Sequence, residues 1–113
     1  MGVFDREIDI TRNIKTIEWL KGELLTDVAN LFKFLVNGVR DEILDSVADT
    51  IANIILESYI LGRRLGVSYQ SIEMKIEGKL KIGIIEKNEI ESYYGDLSEL
   101  SKHLSSSRNK RKD

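Results

Sequence analysis

Ile10, Ile14, Ile17, Leu20, Leu24, Val28, Leu31 and Leu35 recur at steps of three and four residues. That spacing lays an apolar stripe along one side of an α-helix from about residue 11 to 36. Gly22 weakens the helix interior, and Asn37-Gly38 in "VNGVRDE" supplies the stop. A second helix starts near Asp41 and runs to about Leu65, where Gly66 ends it. Its apolar face is Leu44, Val47, Ala48, Ile51, Ile55, Tyr59 and Gly62. Two long helices joined by a short turn pack antiparallel, so the chain reads as all-α.

The remainder is shorter and less regular. Ser68 is placed as the N-cap of a third helix carrying Ile72, Ile76 and Leu80. A loop with a short helix around Lys87–Tyr94 follows, and Asp96 caps a last helix through Leu104. Only "LKIGII" offers any strand-like run. The expected organisation is an N-terminal arm over 1–9, a single helical domain over 10–104 and a basic, disordered tail over 105–113. With 113 residues there is enough chain for one core and not for two.

Charge and composition exclude several functions. The net charge is -2; the tail "SSSRNKRKD" carries +3, which leaves -5 on the preceding residues. An acidic body does not suit a protein held to nucleic acid by its surface field. The absence of Cys removes thiolate metal sites and fits a cytoplasmic setting. No apolar run reaches the roughly 18–20 residues that span a bilayer, so no membrane partner is expected. His103 is the only histidine, with no nucleophilic triad around it and no glycine-rich phosphate loop elsewhere. Any catalysis must be metal-assisted.

Acidic residues recur on both long helices. Glu23, Asp27 and Asn30 stand at i, i+4 and i+7 on the first. Glu42, Asp45, Asp49 and Asn53 fall within about 80° of one another on the second, with Ser46 and Glu57 flanking that stripe. Stacked carboxylates repel unless water or a cation intervenes. Near Asn53 the helix turns apolar nearly all round, so Asp49, Asn53 and Glu57 need partners: a magnesium ion with a nucleotide phosphate, or a polar network between copies.

"IKTIEWLKGELLTDVANLFKFL", "DSVADTIANIILESYILGRRLGVS", "KIEGKLKIGI" and "IESYYGDLSELSKHL" together resemble the MazG-like family, of the all-α nucleotide pyrophosphohydrolase superfamily of bacteria. The resemblance covers about residues 10–104, and "RRLGVS" and "YYGDLSEL" resemble a small subfamily. It implies a helical bundle completed by oligomerisation as a homodimer or tetramer. It also implies magnesium-dependent hydrolysis of a nucleoside triphosphate to a monophosphate and pyrophosphate. Active members carry E-E-x-x-E on one helix and E-x-x-D on the next. Here "ELLTD" keeps Glu23 and Asp27 but has Leu24 at the second acidic position, and the E-x-x-D falls on Thr50-x-x-Asn53. Asp27 and Asp49 are therefore the first metal-ligand candidates, with Glu23, Asp45 and Asn53 as second choices. Lys75, Lys79, Arg63 and Arg64 offer cations to phosphates, and Trp19 offers a stacking surface to a base.

Two other functions stay open. The lost carboxylates fit a degenerate family member that binds a nucleotide or a protein without hydrolysis. "LGRRLGVSYQSIEMKIEGK" also has the outline of a helix-turn-helix, with Tyr69, Gln70, Ser71 and Lys75 toward base edges. The long helix before the turn and the acidic body oppose that reading.

Overall fold

The computed structural model describes residues 3–112, and the side chains of residues 6–108. Five helices follow in order: α1 (Val3–Leu35), α2 (Asp41–Arg64), α3 (Tyr69–Ile85), α4 (Glu89–Tyr94) and α5 (Asp96–Lys112). Every element among the described residues is a helix, as the apolar periodicity requires; "LKIGII" lies within α3. None of these helices is long and apolar enough to cross a membrane. The chain divides into two compact units, Met1–Tyr69 and Gln70–Asp113.

In the first unit α1 and α2 form an antiparallel hairpin. Gly38 (φ 84°) closes the turn after α1, its N–H bonded to the Leu35 carbonyl. α2 begins after Arg40, whose side chain caps nothing; Asp41 and Glu42 instead place negative charge on the positive end of the helix dipole. It ends as the sequence predicts. Gly66 takes φ 102°, and the Val67 N–H returns to the Gly62 carbonyl at 2.8 Å. Asn13 on α1 reinforces that end: its amide donates to the Arg64 carbonyl at 3.0 Å and accepts from the Arg64 guanidinium at 3.4 Å.

The seam of the hairpin is Asn13, Ile17, Leu20, Leu24, Asp27, Leu31 and Phe34 against Ile43, Val47, Thr50, Ile54, Glu57 and Leu61, all buried or half-buried. Steps of three and four alternate along both rows, the spacing of a two-helix coiled coil. Leu20, only 2% exposed, is its one buried aliphatic side chain. Thr50, the buried residue of α2, satisfies its hydroxyl by donating to the Ser46 carbonyl one turn back. Only part of the apolar face expected on α2 fills this seam: Val47 enters it, and Tyr59 and Gly62 are half-buried. Leu44, Ala48, Ile51 and Ile55 are exposed, turned about 100° away from α1. Two seam positions are taken by carboxylates instead.

The second unit is built around Leu80 and Gly83, both buried. Asn88 caps α4, its side chain accepting the Glu91 N–H at 3.0 Å, and Gly95 (φ 68°) ends it. The cap of α5 is Glu91 rather than Asp96. Its carboxylate accepts the Ser98 N–H at 3.1 Å and the Ser98 hydroxyl. The hydroxyl bond, aided by backbone N–H groups and opposed by burial, holds the Glu91 carboxyl below its ordinary range. This cap contributes stability above that range and loses it as acid protonates Glu91. Arg108 pairs with Glu77, tying α5 to α3.

Two boundaries differ from expectation. α1 begins at Val3, so residues 3–9 are helical and not an arm; residues 1–2 lie outside the described residues. α5 continues past Leu104 to Lys112 because no Gly or Pro stops it. At Gly83 an added Cβ would stand 2.6 Å from Leu97 Cδ1 and 3.0 Å from Asn88 Nδ2. Gly83→Val should therefore destabilise the chain by about 1–3 kcal/mol, a shift to lower midpoint in urea unfolding. An unchanged midpoint would show that α3 and α5 are not this close.

Candidate functional site

The carboxylates of Glu23, Asp27 and Glu57 each bring one oxygen within 4.8 Å of the other two. Asp27 and Glu57 occupy seam positions facing each other across the hairpin, and Glu23 stands one turn before Asp27 at the edge. All three are half-buried. The antiparallel hairpin, pinned near one end by Asn13 against Arg64, brings the α1 carboxylates to Glu57.

Glu57 is held farthest from ordinary behaviour. Its Oε1 is buried and finds no hydrogen-bond donor. Its pKa rises from 4.5 to about 7, first through burial, then through a proton shared with Asp27 and the negative charges of Asp27 and Glu23. With all three groups ionised nothing balances the charge, so the arrangement calls for a proton or a cation. A cation fits. Oxygen ligands 2.0–2.1 Å from magnesium stand about 3–4 Å from one another, within the spread seen here.

The structure thus gathers two of the sequence candidates, Asp27 and Glu23, with a residue assigned only to the flank of the polar stripe. Asp45 and Asp49 are exposed and outside the group. Asp49 is two turns and Asp45 three turns from Glu57, about 12 and 18 Å along α2, too far to share one ion with it. Asn53 is half-buried one turn before Glu57. Trp19, one turn before Glu23, is 62% exposed. Arg63 is exposed beside Arg64 in the same unit, whereas Lys75 and Lys79 are exposed on α3 in the second unit. One signal in the sequence marks Glu57: extending the Ile43, Val47, Thr50, Ile54 row by three residues lands on it. A charge in seam register is the anomaly.

The MazG-like family matches residues 10–97, and the chain belongs to that family. The helical hairpin with carboxylates from both helices in its seam accords with the nucleotide pyrophosphohydrolase-like fold that this membership implies. No protein of curated function and no solved structure matches the chain.

Proposed function

We propose that this protein is a magnesium-dependent nucleoside triphosphate pyrophosphohydrolase in which Glu23, Asp27 and Glu57 hold the metal. The observation that carries this reading is the buried, donorless Oε1 of Glu57 facing the two α1 carboxylates. Family members bind a divalent metal through acidic residues on two helices, and Thr50 and Asn53 here supply no charge at the E-x-x-D positions. Glu57, one turn beyond Asn53, restores the α2 contribution. Magnesium bound there would neutralise the phosphates and lower the pKa of an attacking water. The chain's own part is to surrender the proton shared by Asp27 and Glu57, so that cation uptake releases protons. Arg64, held by Asn13, sits seven residues along α2 from Glu57, roughly 10 Å, within reach of a triphosphate chain. Exposed Trp19 offers its face to the base.

The test is pyrophosphate release from a panel of ordinary and modified triphosphates with magnesium. Wild type should turn over at least one of them. Asp27→Asn and Glu57→Gln should each lose about 100-fold or more. Equal release by wild type and both variants would overturn the reading. A second reading rests on Thr50 and Asn53: a member that binds nucleotides without cleaving them. Trp19 is the sole tryptophan, so its fluorescence reports binding directly. Quenching by a triphosphate with no pyrophosphate released favours that second reading. The helix-turn-helix alternative is weakened by the helix before the turn, which runs 24 residues, longer than that compact motif uses.

A further inference from the structure

We infer, relying on the metal site proposed above for the place of the phosphates, that Arg12 reads the outer edge of the base and selects guanine or hypoxanthine. At 100° per residue, Arg12, Trp19 and Glu23 fall within about 40° of one another and make one row along α1. Trp19 stands about 6 Å along the axis from Glu23, and Arg12 about 10 Å beyond Trp19. The row is turned from the seam to the same side of the hairpin as Glu57 and Asn53 on α2. Helical side chains lean toward the N-terminus, so Glu23 leans toward the indole and the indole leans over the turn at 15–16, toward Arg12. A nucleotide with its phosphates at the carboxylates then spans that one-turn rise with its ribose, lays its base on Trp19 and turns the far edge of the base to Arg12.

Two features fix the class of base. The first is the open stacking face. Trp19 is 62% exposed, and among the described residues neither a second ring nor a cation lies on it; the ring pairs are Tyr59–Tyr69 and Tyr93–Tyr94. The second is that the groups meeting the far edge are donors. Arg12 and Lys15 are exposed. Neither has an acidic partner among the described residues, where the ion pairs are Lys21–Glu18 and Arg108–Glu77. The Thr16 hydroxyl is committed to the Arg12 carbonyl at 2.9 Å. Glu18 is turned about 100° from Trp19 and is held by Lys21, while Asp9 lies about 15 Å from Trp19 along the axis. An edge made of acceptors is therefore the one that fits. The fork of a guanidinium matches O6 and N7 of guanine, which hypoxanthine shares. Adenine sets its N6 amino group, a donor, where O6 would stand. A pyrimidine has no N7 and covers less of the indole.

Fluorescence of the sole tryptophan tests this on the full chain in magnesium. The probes are the α,β-methylene analogues of GTP, ATP and UTP, whose bridge cannot be cleaved. The guanosine analogue should quench Trp19 with a Kd about 10-fold or more below those of the other two. Arg12→Gln should bring the guanosine analogue to the level of the adenosine one, with helicity retained by circular dichroism because Arg12 is exposed. Arg12→Lys keeps donors for O6 and N7 but loses the fork, so it should retain part of the preference. Equal affinity of wild type for the three analogues would overturn the proposal. So would a guanosine preference that survives Arg12→Gln, or the absence of quenching by every analogue at millimolar concentration. The hydrolase reading fails separately. A guanosine preference with no pyrophosphate released from GTP itself sinks hydrolysis and leaves Arg12 as the base reader, and pyrophosphate release with no base preference does the reverse.

Discussion

Glu57→Gln should raise the melting temperature of the metal-free protein at pH 8 and abolish the stabilisation that magnesium gives to wild type. Both effects come from one place. The folded chain keeps a proton on Glu57 up to about pH 7, whereas the unfolded chain releases it near 4.5. Across that window the folded state binds more protons than the unfolded one, so stability falls as pH rises and levels off above it. Because Glu57 is only half-buried, solvent screening leaves a loss of about 1–2 kcal/mol, and each kcal/mol is worth about 4–8 °C in a small domain. Glutamine fills nearly the same space, can donate to Asp27 and has nothing to titrate, so the variant's slope between pH 5 and 8 should flatten. Magnesium held at the proposed site should act against the trend in wild type. It would compete with the shared proton and stabilise most above pH 7, by about 2.7 kcal/mol at a hundred times its dissociation constant. Melts from pH 5 to 8 in chelator and in magnesium read all of this. Parallel slopes for the two proteins, or equal gains from magnesium, would show that Glu57 neither holds the proton nor meets the cation.

The all-helical class, the Gly38 turn and the Gly66 stop were legible because each rests on local chemistry: apolar steps of three and four, and glycines at positive φ. The choice of face on α2 was not legible in the same way. By composition alone the apolar side of that helix is the row through Leu44, Ile51 and Ile55, and the polar side runs through Asp49 and Asn53. The antiparallel register overrides composition. It commits the row through Val47, Thr50 and Ile54 to α1 and leaves the more apolar row in solvent. Reading Asp49 as the replacement for Asn53 followed the polar stripe toward the start of the helix. The oxygens of Glu23, Asp27 and Glu57 lie within 4.8 Å of one another, so the α1 carboxylates meet α2 nearer its end, at Glu57. Cap assignment at α5 failed for a related reason: Glu91 reaches Ser98 across a turn, a tertiary contact that the local Asp96 signal cannot reveal.

Leu20→Ala should be the most damaging single truncation in the first unit, at about 2–5 kcal/mol. Leu20 is the one buried aliphatic side chain in the hairpin seam. Small domains hold only about 5–15 kcal/mol in total, so such a loss takes a large fraction of what keeps α1 on α2. The informative comparison is Leu25→Ala, five residues further along the same helix. Leu25 is 73% exposed, and its truncation removes the same atoms from a surface that α2 does not touch. Leu25→Ala should shift the urea midpoint by no more than about 0.5 kcal/mol. A large penalty for Leu20→Ala beside a small one for Leu25→Ala separates the seam of the hairpin from its solvent-facing side. Equal penalties would mean that the register of α1 on α2 is not the one described.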